Sequence, residues 1–225
     1  MTRLVCLPFA GAGPSFYRAW AGMVDGLEVE PVPLPGRERL IDVVPYGDLH
    51  VAADSVSADM TGPIVLFGHS VGGVLAYEIA RRLGPEVLHL VVSGTPPPGG
   101  RRAPRVSGLP DDEFLAEVER LTGYRHPAFD HPEMRDLLLP ALRADFQMDE
   151  DYVPSPGGHV DVPITVVRGA DDELAGAADV DAWRTFTTCG CDVAEMPGGH
   201  MYLAQDPGPL LRLIVETVHE GRMTC

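Results

Sequence analysis

Phe67-Gly68-His69-Ser70-Val71-Gly72-Gly73 is the segment from which the rest of the chain can be ordered. Four apolar residues, Ile64 to Phe67, run into it. Val71, Val74, Leu75, Ile79 and Leu83 run out of it at helical spacing, and Gly84-Pro85 supplies a stop. A buried strand, a sharp turn and a helix therefore frame a G-x-S-x-G motif. Side chains at positions 68 or 72 would collide with the strand or the helix. The turn lifts the Ser70 hydroxyl to the top of a sheet, beside the positive N-terminus of the helix. A glycine-rich turn with an incidental serine has the same local pattern, so the reading depends on a base, an acid and an oxyanion hole elsewhere.

Working outward, Arg3 to Pro8 reads as a buried strand, followed by a tight glycine loop, Phe9 to Gly13. Pro14 opens a helix to about Trp20. Residues 28–34 alternate as a second strand ending in Leu34-Pro35-Gly36-Arg37-Glu38-Arg39, and Asp48 caps a helix to about Met60. Val87 to Val92, apolar but for His89, fits a parallel strand covered on both faces. Alternating strands and helices indicate an α/β fold with a mostly parallel central sheet flanked by helices. The rhythm breaks between Thr95-Pro96-Pro97-Pro98-Gly99-Gly100 and Pro154-Ser155-Pro156-Gly157-Gly158. Two helical patterns lie between them, Asp111 to Leu121 and His131 to Met148. The second carries Met134, Leu137, Leu138, Leu142 and Phe146 at helical spacing and a kinking Pro140. Residues 1–95 and 159–225 are thus expected to form the core, and 96–158 a helical lid over Ser70. Order resumes with strands at Val162 to Val167 and Asp192 to Met196 and helices at Ala177 to Phe186 and Pro209 to Val218.

The totals narrow the function. At 225 residues, 45% hydrophobic and 22% charged, the chain fits a globular core with a small insertion. No run approaches the roughly 18 apolar residues of a membrane span, and Met1-Thr2-Arg3 leads into a strand rather than a signal sequence. A cytoplasmic monomer is expected. The net charge of −16 argues against nucleic acid or an anionic membrane as partner. All 17 basic residues are arginine, which removes lysine nucleophiles and Schiff bases. Cys6, Cys189, Cys191 and Cys225 make no disulfide framework, and Cys189-Gly190-Cys191 lacks the further ligands of a metal site. Reduced, inert thiols are expected, with no metal and no cofactor.

In open parallel sheets, reactive groups gather on loops at the carboxyl ends of strands. Three such loops carry Ser70, Asp171-Asp172 and His200. A serine hydroxyl needs an imidazole to take its proton, and the imidazole needs a carboxylate to fix its tautomer. Of eight histidines, only His200 sits just past a late strand in a glycine turn. His50, His126, His131, His159 and His219 fall in helices, the insertion or its hinges. His89 is inside a strand, and His69 should point away from Ser70. Asp171 and Asp172 compete for the acid role, with Glu173 a lesser candidate. The oxyanion hole is expected from the backbone N–H groups of Val71 and Ala10. Gly11-x-Gly13 lacks the rest of a phosphate-binding fingerprint. The order Ser…Asp…His is that of the α/β-hydrolase fold.

With these residues in place, the chain resembles the type II thioesterases that work in trans beside nonribosomal peptide and polyketide synthetases. The resemblance spans nearly the whole chain. It rests on Pro8-Phe9-Ala10-Gly11 with Trp20, Leu34-Pro35-Gly36-Arg37-Glu38, Phe67-Gly68-His69-Ser70, Ala76-Tyr77-Glu78 and Val92-Ser93-Gly94. It continues through Leu142-Arg143-Ala144-Asp145-Phe146 with Tyr152, Gly169-x-x-Asp172, Trp183 and Gly198-Gly199-His200. It departs at Val71-Gly72-Gly73, where methionine-glycine-alanine is common, and at Met201-Tyr202, where two aromatics usually follow the histidine. The Arg37 and Arg39 loop belongs to the motif or is a charged surface turn. The resemblance implies a triad of Ser70, Asp172 and His200 that hydrolyses acyl groups from phosphopantetheine thioesters. The partners would be acyl or peptidyl carrier domains of a synthetase making an antibiotic-type product. A lid of Leu and Met side chains would suit short acyl chains, and Arg101, Arg102 and Arg105 are candidates for carrier docking. A serine carboxylesterase or lipase, or a catalytically idle docking module, would share much of this pattern.

Overall fold

The structure, a computed structural model, describes residues 2–100 and 103–219. Six parallel strands form one sheet: β1 Thr2–Leu7, β2 Leu27–Pro31, β3 Ile64–His69, β4 Val87–Ser93, β5 Ile164–Gly169 and β6 Cys191–Met196. Their order is β2-β1-β3-β4-β5-β6, with every pair parallel. Parallel neighbours need crossovers, and the helices α1 Pro14–Arg18, α2 Leu49–Ser57 and α3 Val71–Leu83 supply the first three. Asp48 caps α2 by accepting from the Val51 N–H at 2.9 Å.

Strand alternation divides the core. Val5, Leu7, Leu66, Leu90, Val92 and Val166 face α2, α3 and Trp183 on one side of the sheet. Leu4, Cys6, Val65, Phe67, Val91 and Val167 face Tyr17, Trp20 and the closing helix α8 Gly208–His219 on the other. The run of order reverses at β1, which has β2 on one side and β3 on the other. Such a switch point opens a crevice at the carboxyl ends of the strands. The loops after β1 and β3 meet there.

Two helices, α4 Asp111–Thr122 and α5 Pro132–Glu150, interrupt the αβ order between β4 and β5. A separate apolar cluster of Val106, Phe114, Leu115, Leu139 and Leu142 joins them. Pro140 lies inside α5. The α5 face expected to be apolar is only partly buried, since Met134 and Leu137 are exposed. Short helices α6 Ala177–Ala182 and α7 Tyr202–Gln205 complete the described chain. The helix expected from Ala177 to Phe186 tightens into a 3-10 turn at Trp183–Phe186. Cys6 and Cys191 are free thiols, but Cys189 is in a disulfide, which departs from four reduced thiols. Cys189 is half-buried on the loop before β6, and Cys225 lies outside the described residues.

Candidate active site

Ser70 caps α3 with φ 55° and ψ −128°, a conformation that non-glycine residues seldom adopt. Strain of this kind is on the order of 1–3 kcal/mol and persists only where the surroundings enforce it. They do so here through two backbone bonds: Ser70 N–H donates to the Ser93 carbonyl at 2.8 Å, and Gly73 N–H donates to the Ser70 carbonyl at 2.9 Å. The turn also needs glycines. A Cβ on Gly68 would overlap the Gly72 carbonyl, and one on Gly72 would come within 2.6 Å of the Pro8 carbonyl.

The loops after β5 and β6 converge on the same place. His200, 5% exposed, follows Pro197-Gly198-Gly199. Its Nδ1 lies 3.0 Å from Oδ2 of Asp172, which is itself buried. Asp172 Oδ1 accepts from the N–H groups of Leu174 at 2.9 Å and Ala175 at 3.2 Å. Burial pushes this carboxyl's pKa up. The hydrogen bond and charge of His200, with the two N–H donors, outweigh burial and hold it below the ordinary value. A carboxylate only accepts, so Nδ1 carries the hydrogen and Nε2 keeps its lone pair. Asp171 and Glu173 are exposed; the Asp171 N–H donates to the Gly198 carbonyl at 2.9 Å and joins the two loops. Of the three acidic candidates, Asp172 is the one in contact with His200.

Ser70 and His200 line one cavity of about 420 Å³. Phe9, Ala10 and Met201 also line it, and Leu115 and Val118 of α4 with Leu138, Leu142 and Phe146 of α5 give it an apolar wall. Methionines contribute less than expected: Met134 is exposed and Met148 packs in the α3 core. Tyr124, Arg125 and His126, between α4 and α5, add polar groups to the lining. Ala10 borders the cavity from the β1 loop. Val71 is the first residue of α3, where a helix N–H has no intrahelical acceptor.

His69 holds a place that sequence reasoning missed. It is buried, with Nδ1 2.9 Å from Ser93 Oγ, which lies 2.7 Å from the Tyr202 hydroxyl. Its ring centroid is 4.7 Å from that of His200, and Nε2 has no partner among the described residues. Burial, and then the charge of His200, hold its pKa well below the ordinary imidazole value, so it is neutral. Two rings this close cannot both be charged cheaply.

Arg37 is buried rather than part of a surface turn, whereas Arg39 is exposed. Arg101 and Arg102 lie outside the described residues, and Arg105 is exposed and pairs with Asp151 at 2.6 Å. Among the described residues no group of three or more His, Cys, Asp or Glu side chains could hold a metal ion, and no helix is long and apolar enough to cross a membrane.

The thioesterase domain model matches residues 2–220. A probable cadicidin biosynthesis thioesterase of Streptomyces griseus is 35% identical over 98% of this chain; the chain spans 63% of that relative's length. The gramicidin S biosynthesis protein GrsT of Aneurinibacillus migulanus is 31% identical over 89% of this chain and 82% of its own. Among solved structures, the RedJ thioesterase from the prodiginine biosynthetic pathway of Streptomyces coelicolor superposes with a TM-score of 0.87. It is 34% identical, over 99% of this chain and 90% of that one.

Proposed function

This chain belongs to the thioesterase domain family, and on that premise we propose that it hydrolyses acyl thioesters carried on the phosphopantetheine arms of carrier proteins. One observation carries the catalytic part: a serine in a strained elbow shares an apolar cavity with a histidine already paired to a buried carboxylate. Ser70 Oγ attacks the thioester carbonyl while His200 Nε2 takes its proton. The Val71 and Ala10 N–H groups receive the developing oxyanion, each worth about 3 kcal/mol of transition-state stabilisation. The thiol departs with the proton from His200, and water activated by the same nitrogen then releases the acid and frees Ser70. Asp172 holds the imidazole and stabilises its charged form. These steps use the side chains and backbone named here together with one water.

The insertion 96–158 is the lid of this site, and its apolar wall receives the acyl chain while excluding bulk water. The carrier substrate is supported by the names of the relatives, which place them in cadicidin, gramicidin S and prodiginine biosynthesis. The partners are therefore acyl or peptidyl carrier domains of a synthetase that this chain serves in trans. Turnover of acyl-carrier protein, acyl-pantetheine and matched oxygen esters tests the reading. A kcat/KM at least tenfold higher on the carrier thioester supports it. Preference for oxygen esters makes the chain a carboxylesterase, and no turnover of either makes it a docking module.

A further inference from the structure

Arg37 and Asp145, 108 residues apart in sequence, form the buried ion pair nearest the Phe9 to Gly13 loop. Arg37 follows β2 and is 4% exposed; Asp145 is on α5, beyond Pro140, and is 3% exposed. Their contact is bidentate, Nη1 to Oδ2 and Nη2 to Oδ1, both at 2.8 Å. Three further bonds go to backbone. Asp145 Oδ2 accepts the Gly11 N–H at 2.8 Å, and Arg37 Nη1 donates to the Ala12 carbonyl at 3.0 Å. Arg37 Nε donates to the Pro35 carbonyl at 3.2 Å. A buried pair of this kind adds little net stability over apolar residues of the same volume. What it does supply is geometry.

That geometry concerns one stretch of backbone. Ala12 N–H donates to the Phe9 carbonyl at 2.9 Å, and the Phe9 carbonyl shares a peptide plane with the Ala10 N–H. The next plane, carrying the Gly11 N–H, is held by Asp145; the Ala12 carbonyl is held by Arg37. Ala10 is thus fixed from both sides. Gly11 has φ +75°, and a Cβ there would come within 3.0 Å of Leu142 Cδ1, so α5 lies directly on the loop. The neighbouring residue Glu38, itself at φ 47°, accepts from the Ser15 N–H at 2.7 Å and pairs with Arg18 at 2.6 Å, which braces the far end of the loop.

We infer that Arg37 and Asp145 are positioning residues that aim the Ala10 N–H at the developing oxyanion and tie that aim to the seating of α5. The inference rests on the proposed thioester hydrolysis. A donor misplaced by about 1 Å forfeits most of its value in the transition state while substrate binding changes little. It follows that the stretch of α5 after Pro140 is a fixed part of the site, leaving α4 and the first half of α5 as the part of the lid able to move.

Asp145→Asn keeps the side-chain shape and Arg37→Lys keeps the charge, and each removes the bidentate charge geometry of the pair. For each, kcat and KM on an acyl-pantetheine thioester, thermal unfolding, and affinity for a trifluoromethyl ketone that forms a tetrahedral adduct would be measured, with Ser70→Ala alongside. The expected result is a kcat lowered about 10–100-fold with KM within about threefold, and ketone affinity lowered by a similar factor as kcat. Should the replacements lower the melting temperature yet leave kcat and ketone affinity within about twofold of native, the pair is structural only and the inference is overturned. That outcome leaves thioester hydrolysis intact so long as Ser70→Ala is inactive. If Ser70→Ala turns over the thioester like the native protein, the proposed function falls and the inference with it.

Discussion

Replacing Asp172 by asparagine is the sharpest perturbation of the proposed chemistry, because the structure dictates which way the amide must face. Oδ1 accepts from Leu174 and Ala175 N–H groups at 2.9 and 3.2 Å, so the asparagine carbonyl is retained there. Its NH₂ group then occupies the Oδ2 position, 3.0 Å from His200 Nδ1. A donor in that place turns Nδ1 into an acceptor and moves the ring hydrogen to Nε2, where no base remains for Ser70. Loss of the tautomer corresponds to about a 10⁴-fold fall in kcat, or about 5.5 kcal/mol of transition-state stabilisation. Asp171→Asn changes an exposed side chain and leaves its backbone bond to Gly198 in place, so kcat should stay within about twofold. Steady-state turnover of an acyl-pantetheine thioester by the two variants reads the difference. Equal effects, or an Asp172→Asn enzyme within tenfold of native, would refute the assignment of the acid.

Gly68→Ala drives a methyl group into the Gly72 carbonyl, with no flexible side chain to yield, and should lower stability by about 3 kcal/mol or more in urea unfolding. Gly47→Ala meets open space and should stay within about 0.5 kcal/mol. His69 is neutral when folded because burial and His200 depress its pKa. Below about pH 6.5 the unfolded chain binds a proton that the folded chain refuses, so its stabilising effect is complete above that pH and declines below it. His69→Gln should therefore flatten the acid-side fall in stability by up to about 1.4 kcal/mol per pH unit, measured by unfolding at pH 5.5 and 7.5. Leu138→Trp fills the apolar wall and should lower kcat/KM for long acyl chains at least about tenfold relative to acetyl thioesters.

Much of this architecture was legible as periodicity. Strand residues alternate between two cores, so Leu4 and Cys6 fall on one face and Val5 and Leu7 on the other. The helix after Ser70 follows 3.6-residue spacing from Val71 to Leu83. The position of His200 could be argued from a glycine turn after a late strand. What periodicity does not carry is long-range polar pairing. An arginine after Pro35-Gly36 has the local pattern of a surface turn until Asp145, on a distant helix, is placed against it. The choice between Asp171 and Asp172 is likewise a matter of which side chain the loop turns inward, and adjacent residues carry no local signal for that. Nor does periodicity show that the His69 ring, at the end of β3, packs against the ring of His200 from the loop after β6. The apolar face of α5 was over-read: a stripe of five residues contains two, Met134 and Leu137, that meet solvent.

In the proposed reaction Ser70 forms an acyl-enzyme with the acyl group of a pantetheine thioester. Intact-protein and peptide mass spectrometry of the chain, quenched in acid during turnover of an acyl-carrier thioester, measures it directly. An adduct of the acyl mass is expected on the peptide containing Ser70, absent in Ser70→Ala, which should also lose turnover. An adduct on another residue, or undiminished thioester hydrolysis by Ser70→Ala, would contradict it.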